Sequence, residues 1–234
     1  MKPFIRYYGG KFRAAPRYPK PEHDHIIEPF AGAAGYACRY PQKKVTLIEK
    51  YPKLAEMWRY LTSVSERDVL RIPNVVCVDD LPSWVPDGGR TLVGFWMNDA
   101  NVSPCKTLSA GRRQKLAANP HASEGWCDSV KTRIASQLTM IRHWRVVEGD
   151  YTEAPDIAAT WFIDPPYNNR AGSRYVCGPA GIDYNQLADF AKSRKGQVIV
   201  CENEGAQWLP FVFFGTFQAG INGQGSREVI WTNG

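Results

Sequence analysis

Short apolar runs alternate with segments of helical spacing along much of the chain. The apolar runs at 26–30, 44–49, 144–147, 161–163 and 197–201 are typical of buried strands. Apolar residues at helical spacing predict helices at 36–40, 52–61, 134–141 and 184–195. Because strands that alternate with helices form mostly parallel sheets covered on both faces, the sequence predicts an α/β fold. The last apolar runs, 211–217 and 227–231, predict a closing antiparallel hairpin.

Two segments depart from this alternation. Residues 71–131 contain several prolines, the Gly88-Gly89 pair and no clean period, which predicts an inserted irregular or helical subdomain. The main domain would then comprise residues 1–70 and 132–234. Residues 13–24 are rich in proline and charge, and we expect an extended surface segment there.

Composition narrows the class of protein. The 234-residue chain is 44% hydrophobic and has a mean hydropathy of −0.39, as in soluble globular domains. No apolar run is long enough to span a membrane, so we expect a cytoplasmic protein without a membrane partner. The net charge of +6 gives weak support for a nucleic-acid partner. The sequence does not indicate an oligomeric state. Six scattered cysteines favour free thiols, and His23-Asp24-His25 has no third ligand nearby, so no metal site is expected.

The most informative motif is Asp164-Pro165-Pro166-Tyr167, which directly follows the apolar run Trp161-Phe162-Ile163. Two consecutive prolines remove two backbone donors and fix two φ angles. The end of the strand therefore carries a stiff corner with a carboxylate, free carbonyls and an aromatic ring. A carboxylate and a carbonyl can together accept both hydrogens of an exocyclic amino group, while the ring stacks on the base that carries it.

Other strand ends carry groups that suit a ligand. The small-residue turn 31–35 follows the first predicted strand, and the second predicted strand ends in Glu49. A glycine turn lets a ligand approach the backbone, and an acid at the end of the next strand can bind ribose hydroxyls. We expect five strand-end residues to converge on one rim of the sheet: Glu28, Gly32, Glu49, Asp150 and Asp164.

With these motifs in order, the chain resembles the Dam-like adenine-N6 DNA methyltransferases of the α-group. Arg6-Tyr7-Tyr8-Gly9-Gly10-Lys11 resembles that family's N-terminal Gly-Gly-Lys motif, 28–35 resembles its S-adenosylmethionine loop, and 164–167 resembles its catalytic motif. Weaker similarities lie at 148–151 and 227–233. Tyr7-Tyr8 replaces the family's common Trp-Ala, Ala34 stands where a third glycine is frequent, and 71–131 is short for a target-recognition region. The resemblance implies a Rossmann-like methyltransferase fold in which 71–131 is the target-recognition subdomain.

The resemblance also implies roles for individual residues. Asp164 would hold the target amino group with the Pro165 carbonyl, and Tyr167 beyond Pro166 would stack on a flipped base. Residues expected to bind S-adenosylmethionine are Tyr7, Lys11, Glu28, Pro29, Phe30, Ala31, Gly32, Ala33, Glu49, Lys50, Asp150, Tyr151 and Asp164. Basic residues that we regard as candidate contacts to DNA phosphates are Lys106, Arg112, Arg113, Lys115, Arg170 and Arg174.

The function expected from the sequence is methylation of adenine N6 in duplex or single-stranded DNA, by a phage or bacterial enzyme such as those of restriction-modification systems. An N4-cytosine DNA methyltransferase and an RNA adenine methyltransferase remain alternatives, because the corner binds an amino group on any ring. A cytosine-C5 enzyme would use Cys105 as its thiolate, but it leaves the Asp164–Tyr167 corner unexplained. A non-catalytic nucleic-acid-binding module that kept the fold is the alternative from another class.

Overall fold

The protein forms a seven-stranded sheet in a computed structural model that describes residues 1–119, 121–218 and 225–234. The strands are β1 (His25–Glu28), β2 (Lys44–Glu49), β3 (Arg145–Glu148), β4 (Ala159–Ile163), β5 (Gly196–Asn203), β6 (Val212–Gln218) and β7 (Gly225–Thr232). Their order is β3-β2-β1-β4-β5-β7-β6, and the first five are parallel. The mostly parallel α/β sheet and the antiparallel β6–β7 hairpin predicted from the sequence are confirmed.

The chain changes direction across the sheet between β1 and β4. From β1 the chain runs outward through β2 to β3 and then returns to β4 on the other side of β1. In open α/β sheets, the crevice at the carboxyl ends of the strands at such a switch point is the usual ligand site. Both prominent sequence motifs, the turn after β1 and the corner after β4, therefore flank this crevice.

Six α-helices lie in the described residues. They are α1 (Pro52–Ser63), α2 (Glu66–Arg71), α3 (Asp87–Met97), α4 (Ala110–Ala118), α5 (Asp128–Ala135) and α6 (Tyr184–Ser193). The expected helices at 52–61 and 184–195 correspond to α1 and α6. The expected helix at 134–141 is divided into the end of α5 and a short 3-10 helix at Leu138–Ile141. None of these helices is long and apolar enough to cross a membrane.

The sequence predicted an irregular or helical subdomain at 71–131, and the structure shows helices there, namely α3, α4 and the first half of α5. Helix α3 packs on α1, and nine of its eleven residues are buried. Its glycines allow this packing, since a Cβ on Gly88 would lie 2.6 Å from the Cβ of Tyr60. Leu92 and Phe95 belong to the same apolar cluster as Phe162 of β4. The division into two domains stays a prediction, but the inserted segment shares the core of the sheet.

Two apolar clusters cover the faces of the sheet. Trp161 and Ile163 of β4 pack with Leu187 of α6 on one face, while Phe162 packs with the cluster that holds α1 and α3 on the other. The expectation that 13–24 is an extended surface segment was wrong for the 3-10 helix Ala15–Arg17 and for the buried residues Ala14, Ala15 and Tyr18, the last of which is only 3% exposed. The ring of Tyr18 stacks on Phe214 of β6 and meets the edge of Phe162, which buries it under the sheet's carboxyl edge.

Candidate active site at the carboxyl edge of the sheet

The corner after β4 is held in place from several sides. Pro165 is buried, and the Tyr184 hydroxyl of α6 donates a hydrogen bond of 2.5 Å to the Pro166 carbonyl. Gly172 lies against the same corner, because a Cβ on it would be 1.8 Å from the Tyr167 carbonyl oxygen. With two φ angles already fixed by proline, the corner has little freedom to move when a ligand binds.

Asp164 presents a shielded acceptor at this corner. Its Oδ1 atom is buried, and no donor besides Lys11 reaches it within the described part of the chain. The Lys11 ammonium forms an ion pair with the same oxygen at 2.9 Å. Burial raises the pKa of Asp164 to about 6 against the opposing effect of Lys11, so the carboxylate is mostly ionised at neutral pH.

Lys11 is placed by the N-terminal segment rather than by the sheet. Its Nζ atom lies 3.7 Å from Glu228 Oε1 on β7 and 3.5 Å from the Gly9 carbonyl oxygen. Tyr18 donates from its hydroxyl to the other Glu228 oxygen at 2.7 Å. Lys11 was predicted as a cofactor residue; it does line the crevice, and its charged end contacts Asp164 and Glu228.

Tyr167 is oriented toward the interior in this structure. Its ring lies 4.7 Å from Lys11 Nζ, and its hydroxyl is buried with no hydrogen-bond partner in the described part of the chain. A buried hydroxyl without a partner costs about 1–3 kcal/mol, which a movement of the side chain toward a hydrogen-bond partner or solvent would recover. The stacking role that the resemblance implies for Tyr167 stays a prediction, and it requires the ring to turn toward the base.

The turn after β1 is built for close approach to its backbone. Gly32 has a φ of +47°, and Ala34 takes the same left-handed region at +48°. A Cβ on Gly32 would lie 3.3 Å from the Tyr7 ring, so a side chain there would fill the crevice. Trp58 of α1 donates to the Gly32 carbonyl at 2.9 Å, which fixes the turn against the helix.

Glu49 at the end of β2 joins this turn to the second strand. Its two carboxylate oxygens accept hydrogen bonds from the backbone N–H groups of Gly32, at 2.9 Å, and Tyr51, at 2.8 Å. Burial raises the pKa of Glu49 to about 6, although these backbone donors oppose the shift. Each oxygen keeps a second lone pair, so Glu49 can accept further hydrogen bonds from a ligand.

Glu28 has a partner within the protein. Its Oε1 accepts a hydrogen bond of 2.6 Å from the Ala37 backbone, and the residue is 2% exposed. Burial raises the pKa of Glu28 to about 8, so this carboxyl group keeps its proton at neutral pH. A direct contact between Glu28 and a cofactor stays a prediction, while its visible function is to hold the start of the 3-10 helix Ala37–Arg39.

Asp150 and Tyr151 stand on the far side of the crevice, after β3. Asp150 accepts from the Thr152 backbone and pairs with Lys50 at 2.9 Å, so both carboxylate oxygens have partners. Desolvation raises the pKa of Asp150, but Lys50 and Thr152 outweigh it and lower the pKa below its ordinary value. The ring of Tyr151 stacks on Phe30 at 5.4 Å, and the two rings form an apolar wall.

Together these groups enclose a cavity of about 370 Å³, a size typical of small-molecule sites. Every residue predicted to bind the cofactor lines it, and the five strand-end residues converge there as predicted. Pro166 lines the cavity as well, whereas Pro165 and Tyr167 do not. The residues present fit S-adenosylmethionine in kind: Glu49 is an acid for hydroxyl groups, Phe30 and Tyr151 form an aromatic wall for a base, and Asp164 offers a carboxylate to a positively charged group.

Part of the cavity wall was missed by the sequence reasoning. Residues 175–178 and 180–182 line the cavity, and Tyr175 donates from its hydroxyl to the Tyr8 carbonyl at 3.1 Å. A Cβ on Gly9, whose φ is +68°, would lie 2.1 Å from that hydroxyl. The only available signal was the glycine spacing at 172, 178 and 181, which permits a tight loop but names no contact.

The six basic residues predicted as phosphate contacts differ in whether their charge is already paired within the protein. Arg112 is 13% exposed and pairs with Asp99 and Glu124, and it also donates to the carbonyls of Trp96 and Met97. Lys106 pairs with Asp79, and Lys115 lies 3.6 Å from Glu124. Within the described residues, Arg113 and Arg170 have no ion-pair partner, and Arg174 lies over the Tyr8 ring. No group of three or more metal-ligating side chains occurs in those residues either.

No family model and no curated protein matches this sequence. Solved structures that are similar to this chain match it at low identity, among them the following three. "Putative methyltransferase yhhF from Escherichia coli" is 10% identical, with 88% of this chain and 73% of that chain covered and a TM-score of 0.32. The mitomycin 7-O-methyltransferase MmcR is 11% identical over 94% of this chain and 52% of its own, with a TM-score of 0.39. A "conserved hypothetical protein" of Streptococcus pyogenes is 12% identical over 98% and 96%, with a TM-score of 0.33.

Proposed function

We propose that the protein transfers a methyl group from S-adenosylmethionine to the N6 amino group of adenine in DNA. The observation that carries this proposal is the Asp164 carboxylate, which is held at the edge of the cavity on a corner stiffened by two prolines and is paired there with the Lys11 ammonium. A carboxylate has about four acceptor positions on its two oxygens, so Asp164 can accept a hydrogen bond from a ligand's N–H group in addition to its contact with Lys11. The corner adjoins the 370 Å³ cavity, so the two reactants would meet at Asp164.

The proposed cofactor site uses both sides of the cavity. Beside Gly32, Glu49 would accept hydrogen bonds from the ribose hydroxyls of the cofactor. Phe30 and Tyr151 would pack against the cofactor's adenine ring. When bound, S-adenosylmethionine supplies a methyl group on a positively charged sulfur that departs as a neutral thioether. The Asp164 carboxylate at the edge of the cavity would attract this positive charge.

The proposed chemistry at the amino group depends on Asp164 and the Pro165 carbonyl. The nitrogen lone pair of adenine N6 is delocalised into the ring, so it is a poor nucleophile. If both amino hydrogens are accepted by these two oxygens, the nitrogen becomes tetrahedral and its lone pair points at the methyl carbon. The nitrogen then forms the new C–N bond and gives one proton to the Asp164 carboxylate, which releases it to solvent. This hydrogen bonding is strongest in the transition state, where stabilisation accelerates the reaction.

DNA is the proposed substrate because the resemblance of the three ordered motifs points to it and the net charge of +6 agrees. A base within a duplex cannot reach Asp164, so it must leave the stack, at a cost of a few kcal/mol. Rotation of Tyr167 out of its buried position would free its unpartnered hydroxyl and offer a ring to the flipped base.

The proposal is tested by incubating the protein with labelled S-adenosylmethionine and single-stranded DNA, duplex DNA or RNA, and by identifying methylated nucleosides by mass spectrometry. We expect N6-methyldeoxyadenosine. Asp164→Asn replaces an acceptor by a donor on the same shape, and we expect it to lower the rate about 100-fold or more while cofactor binding by calorimetry persists. Asp156→Asn, which changes an exposed ion pair with Lys195, is the matched control and keeps full activity.

Each other product has a defined meaning. N4-methyldeoxycytidine or a methylated ribonucleoside would replace the proposed substrate by one of the two enzyme alternatives. DNA binding without any methylated product, and without S-adenosylmethionine binding, would favour the non-catalytic module. An Asp164→Asn protein with near-normal turnover would overturn the role of that carboxylate.

A further inference from the structure

Four side chains from distant parts of the sequence form one buried cluster beneath the corner. Tyr18 donates to Glu228 at 2.7 Å, Lys11 Nζ lies 3.7 Å from Glu228, and the same Nζ lies 2.9 Å from Asp164. The side chains of Lys11 and Glu228 are 8% and 9% exposed. Lys11 is thus placed between two carboxylates, close to one and within a short movement of the other.

The charges in this cluster do not balance. Burial alone would lower the pKa of Lys11, but Asp164, Tyr167 and Glu228 hold it well above its ordinary value, so Lys11 is charged. Burial raises the pKa of Tyr18, which therefore stays neutral and acts only as a donor. Two carboxyl groups in the cluster thus share a single ammonium group. The other titratable groups that face it are Tyr167, Tyr175 and Cys201, with Glu28 and Glu202 farther away.

We propose that Glu228, held by Tyr18, is a positioning residue that takes the Lys11 ammonium when an amino group binds Asp164. The inference rests on the proposed function for its catalytic meaning. Without a second acceptor, the incoming amino group would compete with Lys11 for the Asp164 oxygen. With Glu228 present, Lys11 moves from the nearer carboxylate to the farther one and stays paired throughout. Asp164 then keeps its negative charge available to the nitrogen that becomes positive as the methyl group is transferred.

The test compares a variant that removes the charge of Glu228 with one that keeps it. Glu228→Gln keeps the acceptor for Tyr18 but removes the charge, so Lys11 pairs with Asp164 alone. We expect kcat to fall about 10-fold with little change in the affinity for S-adenosylmethionine. We also expect the acid limb of the pH–activity profile to move to lower pH, because Glu228 raises the pKa of Asp164 and its charge is gone. Glu228→Asp retains the charge and should keep the limb in its original place. Tyr18→Phe should lower kcat less and leave the limb unmoved.

A merely structural role for Glu228 predicts a different result. Activity would then fall equally at every pH, the acid limb would stay in place, and Glu228→Asp would resemble Glu228→Gln. That pattern would overturn the inference.

A measurement without substrate separates this inference from the proposed function. The Asp164 carboxyl carbon can be followed by NMR in protein with labelled aspartate, assigned by its loss in Asp164→Asn. The inference requires its titration to move to lower pH in Glu228→Gln, whether or not the protein methylates DNA. An unmoved titration would contradict the coupling itself, whereas a moved titration with no methylated product would contradict only the proposed function.

Discussion

Glu28 ends β1 with a carboxyl group whose burial affects the stability of the whole protein. In the unfolded chain this group ionises near its ordinary pKa of 4.5, whereas in the folded protein its pKa is about 8. The unfolded state therefore loses this proton first, and the free energy of unfolding declines as the pH rises from 4.5 to 8. Glu28→Gln keeps an acceptor for the Ala37 backbone and has no proton to lose. We expect the variant to be more stable, by on the order of 2 to 3 kcal/mol at pH 7.

Chemical denaturation between pH 4 and pH 8 measures this effect. The stability gap between Glu28→Gln and the unmodified protein should vanish below pH 4.5 and widen up to pH 8. Glu56→Gln, on the exposed side of α1, is the control and should show no such gap. A gap that is equally large at pH 4 would attribute the gain to packing rather than to the proton.

Around Asp164, the sequence predicted the residues at the strand ends but not the contacts that long-range folding brings to them. The acid, the glycine turn and Glu49 could be predicted because each follows an apolar run that ends at the same edge of a parallel sheet. The contact between Lys11 and Asp164 could not, since it joins segments 153 residues apart through an N-terminal loop without a regular period. Tyr18 and Glu228 are 210 residues apart, and the proline and charge around Tyr18 suggested exposure.

At the scale of elements, the strands were predicted well and the helices of the inserted segment were not. Buried parallel strands appear as continuous apolar runs, which makes β2, β4 and β5 visible in the sequence. Helix α3 contains Gly88, Gly89 and Gly94, and glycine is a poor helix former, so local propensity argued against a helix. Tertiary packing overrides that propensity here: the glycines let α3 approach α1 and the 104–105 backbone closely.

The close packing of α3 and the open surface of α4 predict opposite effects for two glycine-to-alanine changes. In Gly88→Ala, the new Cβ would lie 2.6 Å from the Tyr60 Cβ and 2.9 Å from the Glu56 carbonyl, so we expect a loss of about 1–3 kcal/mol in unfolding free energy. Gly111→Ala on α4 meets nothing within 4 Å and should gain up to about 1 kcal/mol from helix propensity. Urea denaturation of both variants checks the pair. If both changes stabilise the protein, the close packing of α3 is not what requires Gly88.

On the scale of the molecule, the inserted segment packs against the N-terminal segment that contributes Lys11 to the candidate site. Trp96 of α3 donates to the Phe4 carbonyl at 2.8 Å, and Phe95 meets the edge of the Tyr7 ring. Helix α3 thereby fixes the N-terminal segment that carries Lys11 over the carboxyl edge of the sheet. A substitution in the buried face of α3 should therefore shift the N-terminal segment and alter the contact between Lys11 and Asp164, although α3 itself does not line the cavity.

The positively charged groups also divide by their position in the whole molecule. Arg170 and Arg174 are exposed on the loop that follows the Asp164–Tyr167 corner, whereas Arg145 is exposed at the amino end of β3, on the opposite edge of the sheet. If DNA approaches the corner, each contact between arginine and phosphate releases counterions. Arg170→Ala and Arg174→Ala should then each reduce the slope of log K against log salt by about 1, uniformly across DNA sequences.

Arg145→Ala removes the same charge from the far edge and should leave that slope unchanged. Arg112→Ala is expected to act differently from all three, because Arg112 is paired with Asp99 and Glu124 inside the inserted segment. Its loss removes the donor to the carbonyls of Trp96 and Met97, while Asp99 keeps Arg6 and Glu124 keeps Lys115, so we expect the free energy of unfolding to fall by about 1 kcal/mol. Fluorescence titrations of labelled DNA at several salt concentrations, with thermal denaturation alongside, measure both quantities. Equal slope changes in Arg170→Ala and Arg145→Ala would show that the affinity for DNA depends only on net charge and that DNA does not bind at the corner.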